Sequence, residues 1–237
     1  MTNFRPSGFQ TIPPVIKNLI IINSLVWLAQ LTFAKTGSFS MENWFALHDV
    51  HSVYFRPYQL ITYLFLHDPT SIFHLLFNMF ALWMFGSILE NVWGGKRFLI
   101  FYILCGLGSA VLHLLILYHE MTPLMNELHL YPLDQQQEII YSPGFPVNES
   151  TIGASGAVFG CLAAFGYLFP NTEMFIMFIP VPIKAKWLVL GYAGMELYLG
   201  VRNSAGDNVA HWAHLGGAIV GLILVIYWNR KNRRNFY

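Results

Sequence analysis

Long apolar runs alternate with shorter polar stretches along most of the chain. A helix that crosses a bilayer needs about 20 mostly apolar residues, and six segments approach that length. Several of them are short or rich in glycine, so we expect a compact bundle in which some helices shield others from lipid. The pattern predicts an all-α, polytopic membrane protein with six transmembrane helices. These helices are expected near residues 16–34, 72–89, 97–118, 155–169, 186–201 and 209–228.

Two long polar segments separate the predicted helices, and both chain ends lie outside them. We assign residues 1–15 to a short cytoplasmic N-terminal segment, 16–228 to the membrane domain and 229–237 to a basic cytoplasmic tail. The segments at about 35–71 and 119–152 are long for a compact domain, and loops of that length are usually functional or have structure of their own. The first is rich in aromatic residues, which suits the membrane interface.

The distribution of basic residues predicts the orientation of the chain. Short loops on the cytoplasmic side of a membrane carry an excess of lysine and arginine. With the N-terminus in the cytoplasm, six crossings return the C-terminus to that side, and only Lys35, Arg56 and Arg202 lie outside. Both long loops then face outward. The basic residues on the cytoplasmic side are Arg5, Lys17, Lys96, Arg97, Lys184, Lys186, Arg230, Lys231, Arg233 and Arg234.

Composition agrees with a membrane location and excludes several other classes of protein. Charged residues make up 11% of the 237 residues, whereas soluble domains carry about 25%. The net charge of +1 does not suit a nucleic-acid binder, which needs a basic face. The aromatic content of 16% excludes disorder, and two cysteines are too few for a disulfide framework. The nine histidines stand out, because ionisable groups inside a membrane are costly and usually functional.

A serine between glycines opens the fourth predicted helix. In the segment Gly153-Ala154-Ser155-Gly156, the glycines permit a tight turn and the close approach of a substrate. The free backbone N–H groups of a helix N-terminus could hold an oxyanion beside the serine. The structural alternative is a helix-capping serine beside packing glycines, and the tetrapeptide alone favours that alternative.

A histidine opens the sixth predicted helix at the same outer side as Ser155. A serine beside a histidine base is the minimal activated nucleophile. Gly217 and Gly221 follow His214 on one helix face, and the fourth helix repeats the spacing of small residues from Gly156 onward. Such spacing lets two membrane helices approach closely. We therefore expect the glycine faces to bring His214 toward Ser155. Helix packing alone explains the glycines but not a histidine at membrane depth.

His74 and Asn78 lie on one face at the outer start of the second predicted helix, because they are four residues apart. Both side chains can donate hydrogen bonds, which suits stabilisation of a developing oxyanion. A structural polar pair is the alternative, and it is favoured for this pair taken alone. However, three separate helices each place residues of catalytic type at the same outer depth, and unrelated packing residues are not expected to coincide in this way.

These three motifs together resemble the rhomboid family of intramembrane serine proteases. The matching stretches are 74–78 (His-Leu-Leu-Phe-Asn), 153–156 (Gly-Ala-Ser-Gly) and 213–217 (Ala-His-Leu-Gly-Gly), in the family's order and spacing. The similarity extends from Arg56 through the sixth helix. It implies a six-helix, rhomboid-like bundle that uses a Ser-His dyad without an acidic third member. The sixth helix has no carboxylate in its apolar part, which fits such a dyad.

The resemblance also assigns roles to individual residues. Ser155 is implied to be the nucleophile, and His214 the general base that later protonates the leaving amine. His74, Asn78 and the backbone N–H of Ser155 are implied to form the oxyanion site. Glu90 falls where the family has a polar network at the cytoplasmic end of the second helix. The supporting residues are Gly153, Gly156, Phe159, Gly217 and His211.

Members of this supporting set have different expected roles. Gly153 permits the strained approach to the serine. Phe159 matches the family position of an aromatic side chain that packs on the catalytic histidine ring. His211 either contacts substrate and water or only solvates the start of the sixth helix. The fifth helix contains Gly191, Gly194 and Gly200 and is the expected gate for lateral entry of substrate.

The remaining histidines have less demanding interpretations. His48, His51 and His67 are expected to be solvated in the first outer loop. His113 lies inside the third predicted helix, where a hydrogen-bonded packing role is more probable than catalysis. Most of the nine histidines therefore carry no functional implication, and the informative ones lie at helix starts.

The sequence thus predicts a serine endopeptidase that cuts single-span or other membrane proteins in or near their transmembrane segments, in a bacterial inner or plasma membrane. We expect no cofactor, no metal and no nucleic-acid partner, and the sequence does not predict an oligomeric state. One alternative is an inactive rhomboid-like protein that binds membrane clients. Another is a histidine-lined transporter, in which His74, His211 and His214 would form a metal site. Transporters tend to have internal repeats, and none is found here.

Overall fold

A computed structural model of the chain has a helix at each of the six predicted places. It describes residues 9–37, 39–142, 144–175, 182–202 and 208–232. Part of the predicted orientation depends on Arg5, Arg233 and Arg234 and on the side chain of Lys231, which lie outside the described residues.

The described part of the chain contains ten α-helices, two 3₁₀ helices (Tyr63–Phe65 and Pro146–Asn148), one π-helical stretch (Leu82–Gly86) and four short strands. The helices are α1 (Pro14–Thr36), α2 (Met41–Phe45), α3 (Gln59–Thr62), α4 (Ile72–Ala81), α5 (Ser87–Trp93), α6 (Gly95–Leu128), α7 (Leu133–Ile140), α8 (Ser155–Leu168), α9 (Ala185–Arg202) and α10 (Asn208–Asn232). The strands are β1 (Leu47–His48), β2 (Ser150–Thr151), β3 (Glu173–Phe175) and β4 (Pro182–Lys184), which form the antiparallel pairs β1–β2 and β3–β4.

Within the described residues, four helical segments are long and apolar enough to cross a membrane, judged by length and composition. They are Pro14–Thr36, Ile72–Trp93, Gly95–Leu128 and His211–Arg230. Of the other two predicted spans, α8 is apolar but has 14 residues, and α9 has 18 residues. The protein is therefore a helical, multi-pass membrane protein, as the apolar pattern predicted, while the count of six crossings stays a prediction.

The second span is one helix built from three pieces. α4 passes into a π-helical stretch at Leu82–Gly86, and α5 continues from there to Trp93. Near its end, the buried carboxylate of Glu90 accepts hydrogen bonds from the backbone N–H groups of Val15 and Ile16 at 3.0 and 2.9 Å. N–H groups in the first turn of a helix have no partner within that helix. Glu90 therefore caps α1 and anchors it to α5.

α6 is longer than the apolar pattern predicted. It ends at Leu128 instead of near residue 118, so its last turns occupy the start of the predicted 119–152 loop. Those turns contain Pro123, a residue that is unfavourable inside a helix because it lacks a backbone N–H group. A small apolar cluster around Leu128 and Phe145 packs α7 against the end of α6. The predicted loop is thus largely folded.

The predicted outer loop at 35–71 is tied to the chain segment that precedes α8. β1, from this loop, pairs with β2, which lies shortly before Ser155. The backbone N–H of Gly153 donates to the carbonyl oxygen of Tyr63 at 3.0 Å. These contacts fix the backbone immediately ahead of the serine.

Two histidines of this loop are buried, which corrects the expectation that they are solvated. His48 is 1% exposed and His67 is 0% exposed. Nδ1 of His48 lies 3.0 Å from the carbonyl oxygen of Ala46, and the His67 ring lies beside the His74 ring with centroids 5.2 Å apart. The loop folds over the helix starts and encloses these rings. His51 is partly exposed, in better agreement with the expectation.

α8 packs against both α6 and α10, which also pack against each other, and most of its residues are buried. Gly217 of α10 lies so close to Gly156 that a Cβ atom at Gly217 would overlap the Gly156 carbonyl oxygen. One turn further on, a Cβ at Gly221 would lie 2.6 Å from the carbonyl oxygen of Gly160. The two glycine faces thus approach as closely as their spacing predicted.

Candidate active site

Ser155 and His214 meet at the ends of α8 and α10 that were predicted to face outward. Nε2 of His214 lies 2.9 Å from Oγ of Ser155, which is within hydrogen-bond distance. Ser155 is the first residue of α8, and His214 lies in the second turn of α10. The sequence placed the two residues at similar depth, and the structure brings their side chains into contact.

The aromatic ring of Phe159 covers one face of the His214 imidazole. The ring centroids are 4.4 Å apart and the planes differ by 5°, so the two rings are stacked. The Tyr192 ring, from α9, packs nearly perpendicular to Phe159, with ring centroids 6.3 Å apart. Phe159 follows Ser155 by one helical turn, so the helix that carries the serine also holds the plane of the histidine ring.

His74 reaches the same site from α4. The backbone N–H of Asp68 donates to Nδ1 of His74 at 3.1 Å. A neutral imidazole that accepts at Nδ1 carries its proton on Nε2, so Nε2 of His74 is a donor. This Nε2 faces the backbone of Gly153, where a Cβ atom would lie 3.1 Å away. An N–H group therefore lies close to the chain two residues before Ser155.

Gly153 meets both a conformational and a steric requirement of the site. Its φ angle is 125°, a backbone conformation that residues with a side chain rarely adopt. A Cβ atom at this position would lie 3.8 Å from Oγ of Ser155 in addition to its contact with His74. Glycine thus permits the turn into α8 and leaves room for the neighbouring imidazole.

Asn78 lies one turn after His74 and is buried, with 7% exposure. Its Nδ2 donates to the backbone carbonyl oxygen of His74 at 2.9 Å. An amide nitrogen has two N–H groups, so one remains for another acceptor. The oxyanion role implied for Asn78 stays a prediction.

A carboxylate that the sequence motifs do not include lies next to His214. Glu196 of α9 is 6% exposed. Its Oε2 atom lies 2.6 Å from Nδ1 of His211 and 3.1 Å from Nδ1 of His214. The first contact is a hydrogen bond. The second is close in distance but not aligned as a hydrogen bond, and Nδ1 of His214 has no hydrogen-bond partner among the described residues.

Glu196 adds a carboxylate near the predicted Ser-His dyad, which itself stays a prediction. The sixth helix indeed has no carboxylate in its apolar part, but the fifth helix supplies one. Glu196 precedes His211 by 15 residues, and no spacing rule within a helix connects them. The available signal was a single glutamate in an otherwise apolar helix, since such residues are rare in membrane helices and are usually paired.

The same three side chains could hold a metal ion. Glu196, His211 and His214 each offer one donor atom, and these atoms lie within 4.8 Å of one another. Two histidines and a glutamate form a ligand set that zinc enzymes use. This set differs from the one considered for a transporter, because Glu196 takes the place of His74. The expectation that the protein needs no metal stays a prediction.

A cavity of about 460 Å³ lies in the first outer loop and shares no residue with the site around Ser155. The hydrogen bonds from Nη1 of Arg56 to the carbonyl oxygens of Val53 and Phe55 hold part of its wall. It is lined by Phe39, Ser40, Asn43, Trp44, Val53, Tyr54, Arg56 and Tyr141.

Fold and site together define a class of protein: a multi-pass helical membrane protein in which a serine at one helix start contacts a histidine from another helix. Comparison with known families gives the particular family. The model of the Rhomboid domain matches residues 54–231, which is well over half of the chain. The chain belongs to the rhomboid family.

Relatives from several sources share this domain. Rhomboid protein 1, mitochondrial, of Saccharomyces cerevisiae is 28% identical over 156 residues, which cover 63% of this chain and 36% of the yeast protein. Rhomboid protease GluP of Bacillus subtilis is 29% identical over 166 residues, covering 69% of this chain and 24% of GluP. Rhomboid-like protein 11, chloroplastic, of Arabidopsis thaliana is 25% identical over 228 residues, covering 86% of this chain and 64% of the plant protein.

The chain spans less than two thirds of the length of each of these relatives. One of them is named as a protease, so the family includes at least one protein of that class. The others are named for mitochondria and chloroplasts, so the family occurs in more than one kind of membrane.

Proposed function

We propose that the protein is a serine endopeptidase that hydrolyses peptide bonds in or near the transmembrane segments of other membrane proteins. The observation that carries the proposal is the 2.9 Å contact between Oγ of Ser155 and Nε2 of His214. A nucleophile within hydrogen-bond reach of a base is the arrangement that covalent hydrolases use. Membership of the rhomboid family supports the reaction class, because the relative GluP is named as a protease.

Ser155 serves as the nucleophile and His214 as the base and then the acid. As Oγ bonds to the carbonyl carbon of the scissile peptide, Nε2 takes the Oγ proton. The C–N bond of the tetrahedral intermediate then breaks, and Nε2 gives that proton to the leaving nitrogen. A water molecule next attacks the acyl-enzyme ester while Nε2 takes its proton. The ester C–O bond breaks, the acid product leaves, and Oγ recovers a proton from Nε2.

His74, Asn78 and the backbone N–H of Ser155 are proposed to hold the oxyanion. Nε2–H of His74 is oriented by the Asp68 N–H group that occupies Nδ1. The N–H of Ser155 belongs to the first turn of α8, where backbone donors have no partner within the helix. Donors that are already in place when charge develops stabilise the transition state without reorganisation.

The supporting residues hold these groups in position. Gly156 and Gly217 let α8 and α10 approach, and stacking on Phe159 fixes the plane of the His214 ring. Gly153 supplies the left-handed turn before the serine. Their proposed effect is geometric, and such positioning matters because small displacements of reacting groups lower rates strongly.

Substrates are proposed to be single-span or other membrane proteins that enter laterally from the lipid bilayer. The site lies at helix ends, where water is available to a bilayer protein at the lowest cost. α9 is the proposed gate, and Gly191 and Gly194 on it have no atom within 4 Å of an added Cβ. The excess of basic residues favours cytoplasmic termini. A bacterial plasma membrane is the proposed location, and the chemistry needs no cofactor, metal or nucleic acid.

Labelling with a fluorophosphonate probe tests the proposed nucleophile and base, because such probes react with an activated serine. The detergent-solubilised wild type should be labelled, and labelling should be lost in Ser155→Ala and in His214→Ala. Ser142→Ala is the matched control, since the Ser142 hydroxyl donates to the Ile139 carbonyl oxygen outside the candidate site, and it should label as the wild type does. Undiminished labelling of Ser155→Ala contradicts the proposal.

Labelling, combined with activity measurements in the presence of chelators, separates the alternatives. An inactive, client-binding protein should remain unlabelled as folded wild type. A histidine-lined transporter remains an alternative because Glu196, His211 and His214 offer a metal-capable set of donor atoms. A transporter should work as Ser155→Ala and should respond to chelators, whereas the proposed protease should lose activity as Ser155→Ala and keep it in the presence of chelators.

A further inference from the structure

Glu196 lies beside the ring nitrogen of His214 that does not face Ser155. His214 presents Nε2 to Ser155 at 2.9 Å and Nδ1 to Oε2 of Glu196 at 3.1 Å. We propose that Glu196, held in place by His211, is a positioning residue for the His214 ring of the Ser-His dyad. The inference rests on the proposed function, because it gives Glu196 a part in that same reaction.

The Glu196 carboxylate is buried and held independently of His214. A buried carboxylate is costly unless it is hydrogen-bonded or paired, and Nδ1 of His211 bonds Oε2 at 2.6 Å. His211 and His214 are three residues apart, which places them on one face of α10. One carboxylate oxygen therefore reaches both rings. The role left open for His211 is thereby assigned: it fixes the carboxylate beside His214.

Phe159 and Glu196 restrain the His214 ring in complementary ways. Stacking at 4.4 Å, with planes 5° apart, fixes the plane of the ring but permits the ring flipped by 180° in that same plane. A carboxylate at Nδ1 favours the orientation that points Nε2 at Ser155. Because Oε2 and Nδ1 are already 3.1 Å apart, rotation of the carboxylate or the ring suffices to align the hydrogen bond.

The carboxylate also determines which nitrogen of His214 carries the proton. Acceptance of a hydrogen bond from Nδ1–H keeps the proton on that nitrogen and leaves the Nε2 lone pair free for the Ser155 hydroxyl proton. When Nε2 takes that proton, the ring becomes positively charged next to the negative carboxylate, which stabilises the charged ring. Glu196 stays ionised throughout, so the proton movements of the proposed mechanism are unchanged.

The test compares Glu196→Gln, Glu196→Asp and the control Glu138→Gln, whose side chain lies on α7 and is exposed. Cleavage of a single-span substrate would be measured in proteoliposomes, together with the melting temperature of each variant. We expect Glu196→Gln to lower kcat by about 100-fold through misplacement of the His214 ring, with KM within about twofold. Glu196→Asp should restore part of kcat, and Glu138→Gln should equal the wild type.

A folded Glu196→Gln variant with wild-type kcat overturns the inference. If Glu196→Gln does not fold, proton NMR of the wild type decides the matter. The expected result is a downfield Nδ1–H resonance that disappears in His214→Gln, and a proton found on Nε2 of neutral His214 overturns the inference. The proposed function fails separately: cleavage that persists in Ser155→Ala contradicts it, whatever Glu196→Gln does.

Discussion

A different neighbour fixes each histidine near Ser155. Phe159 stacks on His214, Glu196 bonds His211, and an Asp68 N–H group occupies Nδ1 of His74. The chemistry of an imidazole depends on which nitrogen carries the proton, and that choice is set by the partner of the other nitrogen. The proposed donor role of His74 and the proposed base role of His214 therefore both depend on groups that do not themselves react.

His67 lies beside His74 and should make stability depend on pH. Burial, together with the charge of the neighbouring His74, lowers the pKa of His67 to about 4, although the backbone of Phe65 acts in the opposite direction. The unfolded chain takes up this proton near pH 6.5, so unfolding becomes easier as pH falls from about 6.5 to about 4. The wild type should lose up to about 3 kcal/mol of stability relative to His67→Gln over that range.

The measurement is chemical or thermal unfolding in detergent at pH 7, 5.5 and 4.5. His129→Gln is the control, since His129 is exposed, and its unfolding should follow the wild-type dependence on pH. Parallel curves for the wild type and His67→Gln would show that the buried ring does not resist protonation.

The approach of α8 to α10 depends on positions where no Cβ atom fits. The Gly156 carbonyl oxygen occupies the space that a side chain at Gly217 would need. α10 also packs closely on α6, because a Cβ at Gly216 would lie 2.7 Å from the carbonyl oxygen of Gly108. Close backbone approach of this kind is how membrane helices gain packing energy without a hydrophobic driving force between them. The separation of Ser155 and His214 is set by the same contacts.

Two glycine-to-alanine substitutions, one at a tightly packed position and one at an open position, test this packing. Gly217→Ala should destabilise the protein by about 1–3 kcal/mol through overpacking and should slow labelling of Ser155 by separating α8 from α10. Gly194→Ala is the matched control, because no atom lies within 4 Å of its added Cβ. It should be neutral or stabilising by up to about 1 kcal/mol, since alanine favours a helix more than glycine does. Equal melting temperatures for the two variants contradict the packing account.

The positions of the helices could be predicted because apolar runs mark them directly, but some boundaries could not. α6 continues through Pro123 to Leu128 because its last turns pack against other parts of the chain, including Phe145, and that packing leaves no periodic trace in the sequence. His48 and His67 were expected in solvent because they lie in a polar loop. Their burial depends on how that loop folds over the helix starts.

The site draws on four helices that are far apart in the sequence. Ser155, His214 and His74 were predictable because each lies in a short motif at a helix start. Glu196 was not, because its contact with His214 depends on how α9 packs against α10. A sequence motif shows which side chains lie on one helix. Contacts between helices depend on how the helices pack together.

The protein has a helical membrane fold and belongs to the rhomboid family, one member of which is named as a protease. The central claim is that this chain cleaves membrane proteins by means of Ser155 and His214. The side chains of Ser155 and His214 meet at the start of α8.

Reconstitution into liposomes with a panel of single-span substrates tests this claim most directly. Wild-type protein should cut at least one substrate in or near its transmembrane segment, and Ser155→Ala, which removes only the hydroxyl oxygen, should cut none while keeping the wild-type melting temperature. Products that appear equally with Ser155→Ala contradict the account.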